Sequence, residues 1–118
     1  MNTNGVVAMT LDQAVKQLHI EKIDFIKLDV DGHEYSVLNG GKETLFSHRP
    51  PILMELAPYL FDPEFREFEK IVELFTELEY SLLDADTGKP LPMDADKLRA
   101  IIPVGGSKNV FLKHLIEK

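Results

Sequence analysis

The chain has 118 residues, 44% of them hydrophobic and 28% charged, with seven glycines and seven prolines. That suffices for one ordinary domain over residues 1–118 with a real core, and it excludes a second. The absence of cysteine excludes disulfides, thiolate metal sites and a cysteine nucleophile, and the formal charge of −7, with ten acidic and two basic residues between Glu55 and Asp86, is the reverse of a nucleic-acid footprint.

In chain order, Val6, Val7, Ala8 and Met9 form a short β-compatible run. Thr10 followed by Gln13 has the spacing of a capping box, so a helix is expected from Leu11, with Leu11, Ala14, Val15 and Leu18 on one face. Residues 23–30 are mostly apolar, too short for a helix and bounded by Asp31-Gly32, which predicts a buried strand ending in a tight turn. A helical pattern returns from Glu34 to Phe46, weakened at Gly40 and Gly41 by about 1 kcal/mol per glycine. Those glycines also permit close packing, and Arg49-Pro50-Pro51 ends the element.

Residues 52–56 read as a second strand. Phe61, Phe65, Phe68, Val72, Phe75 and Leu78 then recur at spacings of three and four, with the glutamates mostly elsewhere. This predicts an amphipathic helix over 61–78, apolar stripe inward and acidic face solvated. A strand at 80–83, a turn at 86–90, a helix over 94–102 stopped by Pro103, a loop at 105–107 and a strand at 109–113 complete the pattern. Alternating strands and helices predict an α/β layered domain with a mainly parallel sheet, its last two strands forming an antiparallel pair at the edge. No apolar run approaches the ~20 residues of a membrane span, and the start has no signal-peptide pattern, so the expected location is cytoplasmic.

The stretch Lys27-Leu-Asp-Val-Asp-Gly-His-Glu34 carries the most chemistry. Asp29 falls at the carboxyl end of a buried strand, where open α/β sheets keep their ligand crevice. It is a candidate base, metal ligand or cofactor contact; the competing reading is a turn or cap carboxylate. Asp31, beside Gly32, reads as turn chemistry, and Glu34 as a partner of first-turn amides. An EF-hand is excluded, because aligning Gly32 with that loop's glycine puts Lys27 first and Leu38 last. The histidines His19, His33, His48 and His114 have no metal-ligand spacing, so no histidine metal site is expected.

Two family resemblances attach to this stretch. Strand, then Asp29-x-Asp31-Gly32, is similar to the haloacid-dehalogenase-like phosphatases, which implies Asp29 as the nucleophile on phosphorus and Asp31 as acid and base. His33 stands where that pattern has Thr or Val, and the nearest later acids are Asp84 and Asp86. A longer resemblance uses Thr10-Leu-Asp-Gln, residues 23–34, Val37-Leu-Asn-Gly-Gly-Lys-Glu-Thr-Leu45 and Arg49-Pro-Pro-Ile-Leu-Met-Glu-Leu56, in that order. Together they resemble the carboxy-terminal half of FkbM-type methyltransferases, with Asp31 in place of the family's usual Glu.

That resemblance implies a partial Rossmann-like, class I methyltransferase sheet, S-adenosylmethionine as methyl donor, and a hydroxyl of a sugar or related metabolite as acceptor. It places Asp29 and Val30 beside the donor, makes Asp29 the candidate base, and sets His33 and Glu34 as its neighbours, with Glu55 a lesser candidate. The family's glycine-rich donor turn has no counterpart here, since Gly40-Gly41 and Gly105-Gly106 follow the wrong elements. The expectation is therefore a truncated methyltransferase domain that is inactive alone, completed by an amino-terminal half or a second copy. A non-catalytic interaction module is the third reading, because a half-sheet exposes an edge and an apolar face.

Overall fold

The computed structural model describes residues 9–114; Val6, Val7 and Ala8 of the amino-terminal β-compatible run lie outside them. The elements are α1 (Leu11–Gln17), β1 (Ile26–Leu28), α2 (Glu34–Asn39), α3 (Lys42–His48), β2 (Ile52–Leu56), a 3-10 turn (Pro58–Leu60), α4 (Glu67–Glu77), β3 (Tyr80–Asp84), β4 (Pro90–Leu91), α5 (Ala95–Ile101) and β5 (Lys108–His114). The α/β class is as expected.

The five strands form one sheet in the order β1-β2-β5-β3-β4. β1 and β2 pair in parallel, whereas β2/β5, β5/β3 and β3/β4 are antiparallel. The expectation of a mainly parallel sheet is thus corrected to a mixed one. The physical reason is one insertion: β1, β2 and β3 run in the same direction, but β5 returns between β2 and β3 and turns what would be one parallel contact into two antiparallel ones. The antiparallel partnership of the last two expected strands, β3 and β5, is present, but β5 sits inside the sheet. The edge belongs to β4, which the sequence pattern missed because it begins with Pro90; proline is tolerated at an edge, where no ladder donor is needed.

Strand alternation separates two faces. Ile52, Met54 and Leu56 of β2, Val110 and Leu112 of β5, and Tyr80 and Leu82 of β3 are buried in the core with Leu38, Leu45, Phe68, Ile71, Phe75 and Leu98 from the helices. On the opposite face Lys27 aligns with Leu53, Leu53 with Phe111, and Phe111 with Leu83. Leu53, Leu83 and Phe111 are half-buried and outside the core cluster, and Lys27, Glu55, Asn109 and Lys113 beside them are exposed. No described helix covers this second face, and the shortest dimension of the molecule is 23 Å.

Of the helical expectations, one holds and two shift. The capping box of α1 forms as read, with Gln13 N–H donating to Thr10 Oγ1 at 3.1 Å and Thr10 N–H to Gln13 Oε1 at 2.9 Å. The expected helix over 34–46 is instead two, α2 and α3, broken at Gly40-Gly41, where α1 presses in: a Cβ on Gly41 would lie 2.6 Å from Leu11 Cδ2, and one on Gly40 3.1 Å from Thr10 Cβ. Asp12 then caps α3, whose own N-cap Gly41 has no side chain, by accepting from Thr44 N–H at 2.8 Å and Glu43 N–H at 3.3 Å.

The helix expected over 61–78 starts only at Glu67. Asp62 accepts from Glu64 N–H at 2.9 Å in a local turn, and Arg66 is left-handed at φ 51°. Phe61, Phe68, Val72, Phe75 and Leu78 are buried as the stripe predicts, but Phe65 lies before the helix and is 58% exposed. The outer glutamates are exposed or half-exposed; Glu77 meets Lys42 at 3.1 Å, and Glu69 meets Arg99 at 2.6 Å.

Candidate active site at the carboxyl ends of β1 and β2

β1 is shorter than residues 23–30 because Ile23 leaves the ladder: its N–H donates to His48 Nδ1 at 2.9 Å, tying the entry to β1 to the last turn of α3. At the exit, Asp29 is exposed and Val30 is half-buried against the core. Val30 carbonyl accepts from His33 N–H at 3.2 Å, with Asp31 at φ 42° and Gly32 at φ 94° between them. Two left-handed central residues make this a type I′ turn, for which Asp-Gly is a favoured pair. Asp31 is therefore turn chemistry, as its neighbour suggested, with its carboxylate exposed.

Glu34 behaves differently from its neighbours. It is only 4% exposed, and its Oε1 accepts from Gly32 N–H at 2.9 Å. His33 is exposed at the N-cap position of α2 and its side chain makes no capping bond. Gly32 is pressed against the segment that follows β2: a Cβ there would lie 2.8 Å from Leu60 carbonyl oxygen. The 3-10 turn of Pro58–Leu60, carrying exposed Tyr59 and Leu60, thus rests on the turn that carries Asp31. No local sequence signal marks Leu60 for this contact, because it joins segments separated by a whole strand.

Glu55 is exposed near the end of β2. Because Leu28 aligns with Met54, Asp29 and Glu55 are the next positions along their strands. The structure therefore brings Asp29, Asp31, His33, Glu34 and Glu55 to one end of the sheet. Asp84 and Asp86 are not part of this group. Two strands, β2 and β5, stand between β1 and β3, which puts Asp84 about 14 Å from the Asp29 position at ordinary strand spacing. Asp84 is also occupied. Lys108 Nζ bonds it at 2.9 Å, and with Asp86 and Thr87 N–H groups holds its carboxyl below the usual carboxylate range.

Among the described residues, no three His, Asp or Glu side chains gather as a metal site. Of the other histidines, His48 is the acceptor just described, and His114 is buried with its ring edge-on to Tyr80 at 5.6 Å. Tyr80 donates to Pro50 carbonyl at 2.6 Å, and burial pushes its phenol up to about 12. That pair lies at the opposite end of the sheet, since Tyr80 opens β3 and His114 closes β5. No described helix is long and apolar enough to cross a membrane.

The residues present share one end of the sheet. A methyl donor needs close backbone approach and an enclosed cradle, yet no glycine-rich turn follows β1. A cavity of about 400 Å³ lies elsewhere, between α1 and the later part of α2, lined by Met9, Thr10, Leu11, Val37 and Gly40 among others. The described residues therefore do not by themselves fit S-adenosylmethionine.

In comparison with known proteins, the family model of the methyltransferase FkbM domain matches residues 2–82. No curated protein and no solved structure matches the chain.

Proposed function

Since the chain belongs to the FkbM methyltransferase family, we propose that it supplies the acceptor-facing, proton-accepting wall of an S-adenosylmethionine-dependent O-methyltransferase of class I type. The observation that carries this reading is the position of Asp29: an exposed carboxylate just beyond β1, at the end of the sheet where the carboxyl ends of β1, β2 and β3 lie. Open α/β sheets bind their ligands there. The helices that follow β1 and β2 lie against one face of the sheet, and β1, β2 and β3 share a direction, which supports a Rossmann-like origin for the sheet.

Methylating a hydroxyl requires holding the oxygen in line and accepting its proton. Asp29 is the proton acceptor in this reading. Asp31 and His33, both exposed on the same turn, orient the acceptor, a sugar or related hydroxylated metabolite, and Glu55 stands beside them. Val30 places its backbone at the donor side. The donor is held mostly by parts these 118 residues do not contain, so the chain alone is inactive, and an amino-terminal half or a second copy completes the site.

Isothermal titration calorimetry with S-adenosylmethionine tests this directly. The chain alone is expected to show no stoichiometric binding. Tight one-to-one binding would refute the claim of inactivity, and it would make Asp29→Asn the next variant, expected to lose methyl transfer while keeping the donor.

A further inference from the structure

We infer that Glu34 is a positioning residue rather than a proton-transfer group. Its buried carboxylate locks the left-handed turn of Val30 to His33, and through Gly32 that turn fixes the Pro58–Leu60 segment against it, so the segments leaving β1 and β2 form one rigid ledge. The functional consequence rests on the methyltransferase reading; the mechanical part does not.

The argument starts from cost. Asp31 is a non-glycine residue at φ 42°, where the Asp-Gly pair lowers the cost of the left-handed region without removing it, so neighbouring contacts still help to hold the turn. A turn after a strand that enters a helix gains nothing from the sheet ladder, so its enforcement must be local. Two contacts supply it: His33 N–H to Val30 carbonyl at 3.2 Å, and Gly32 N–H to Glu34 Oε1 at 2.9 Å. The second has a carboxylate acceptor, is part-buried and is the shorter of the two, and it comes from the first residue of α2, which is anchored by core residue Leu38.

Gly32 then transmits the constraint. With a carbonyl where a Cβ would lie at 2.8 Å, the Gly32 backbone and Leu60 have no slack between them. Asp29 and Asp31 remain exposed. The division of labour follows: Glu34 is withdrawn from solvent and spends its oxygen on the backbone, while Asp29 and Asp31 face whatever enters.

Hydrogen exchange by ¹H–¹⁵N spectroscopy on the full chain reads this out residue by residue. Glu34→Ala is expected to accelerate exchange of the Gly32 amide roughly tenfold or more and to shift the Leu60 amide resonance, with the amides of Met54 and Leu112 unchanged. Glu34→Gln keeps an acceptor oxygen and is expected to restore Gly32 protection to within about twofold of the native chain. Unchanged Gly32 exchange in Glu34→Ala, or equal acceleration at Met54 and Leu112, overturns the proposal. So does Glu34→Gln behaving like Glu34→Ala, and that arm decides the matter if the alanine variant does not fold. Failure of any completed form of the enzyme to transfer a methyl group sinks the methyltransferase reading and leaves the exchange result standing.

Discussion

The carboxylate of Asp12 does for α3 the work of an N-cap side chain, from a different helix. Gly41 offers no oxygen at that position, so Asp12 accepts the Thr44 and Glu43 amides instead. Burial on its own raises the Asp12 pKa, but hydrogen bonds from Thr44 and Glu43 outweigh it and the net shift is downward. A carboxyl with a lower pKa folded than unfolded stabilises fully above its unfolded value of about 4 and loses that contribution as pH falls through the folded value. Asp12→Ala is therefore expected to cost about 1 kcal/mol at pH 7, with a smaller difference from the native chain at pH 2.5, both measured by urea denaturation. Thr10 was legible from the sequence because its partner Gln13 is three residues away; Asp12 was not, because its partners become neighbours only once α1 docks on the glycine pair. The Thr-Leu-Asp segment that points to the family is spent here on folding: a cap, an apolar contact and a cap in trans.

At the scale of elements, periodicity identified the burial of the α4 stripe better than the start of α4. A spacing of three and four continues through Phe61 and Phe65 regardless of whether the backbone there is helical. The backbone is instead set by Asp62 capturing Glu64 N–H and by the left-handed Arg66. The two phenylalanines consequently separate in their energetics. Phe65→Ser is expected to change stability by no more than about 0.5 kcal/mol. Phe68→Ala, which empties a site packed against Phe61 and beneath Arg99, is expected to cost about 3–5 kcal/mol. Paired denaturation curves at one pH check both. A helix continuous from residue 61 would bury the two rings alike and give them similar costs. The split of the 34–46 segment has the same lesson: the weakness of Gly40-Gly41 was visible, but whether it bent or broke the helix depended on Leu11 arriving beside it.

Across the whole molecule, alternating apolar segments sufficed for the α/β class, and strand positions at 52–56, 80–84 and 108–114 were close to legible. Sheet order was not, since nothing in β5 itself says that it returns between β2 and β3. The candidate site shows the same division: Asp29, Asp31, His33 and Glu34 are consecutive enough to be read as one stretch, whereas Leu60 enters only through packing. The sheet face carrying Leu53, Phe111 and Leu83 has a thermodynamic signature. The heat capacity of unfolding measures apolar surface newly exposed to water, and Leu53, Leu83 and Phe111 on that face are only half-buried in the folded chain. An ordinary globular chain of this length is expected to show about 1.4–1.8 kcal/mol/K; scanning calorimetry should give a value below that range here, with a correspondingly shallow urea m-value. Binding of any partner to that face would then release the missing increment as a negative heat-capacity change of association.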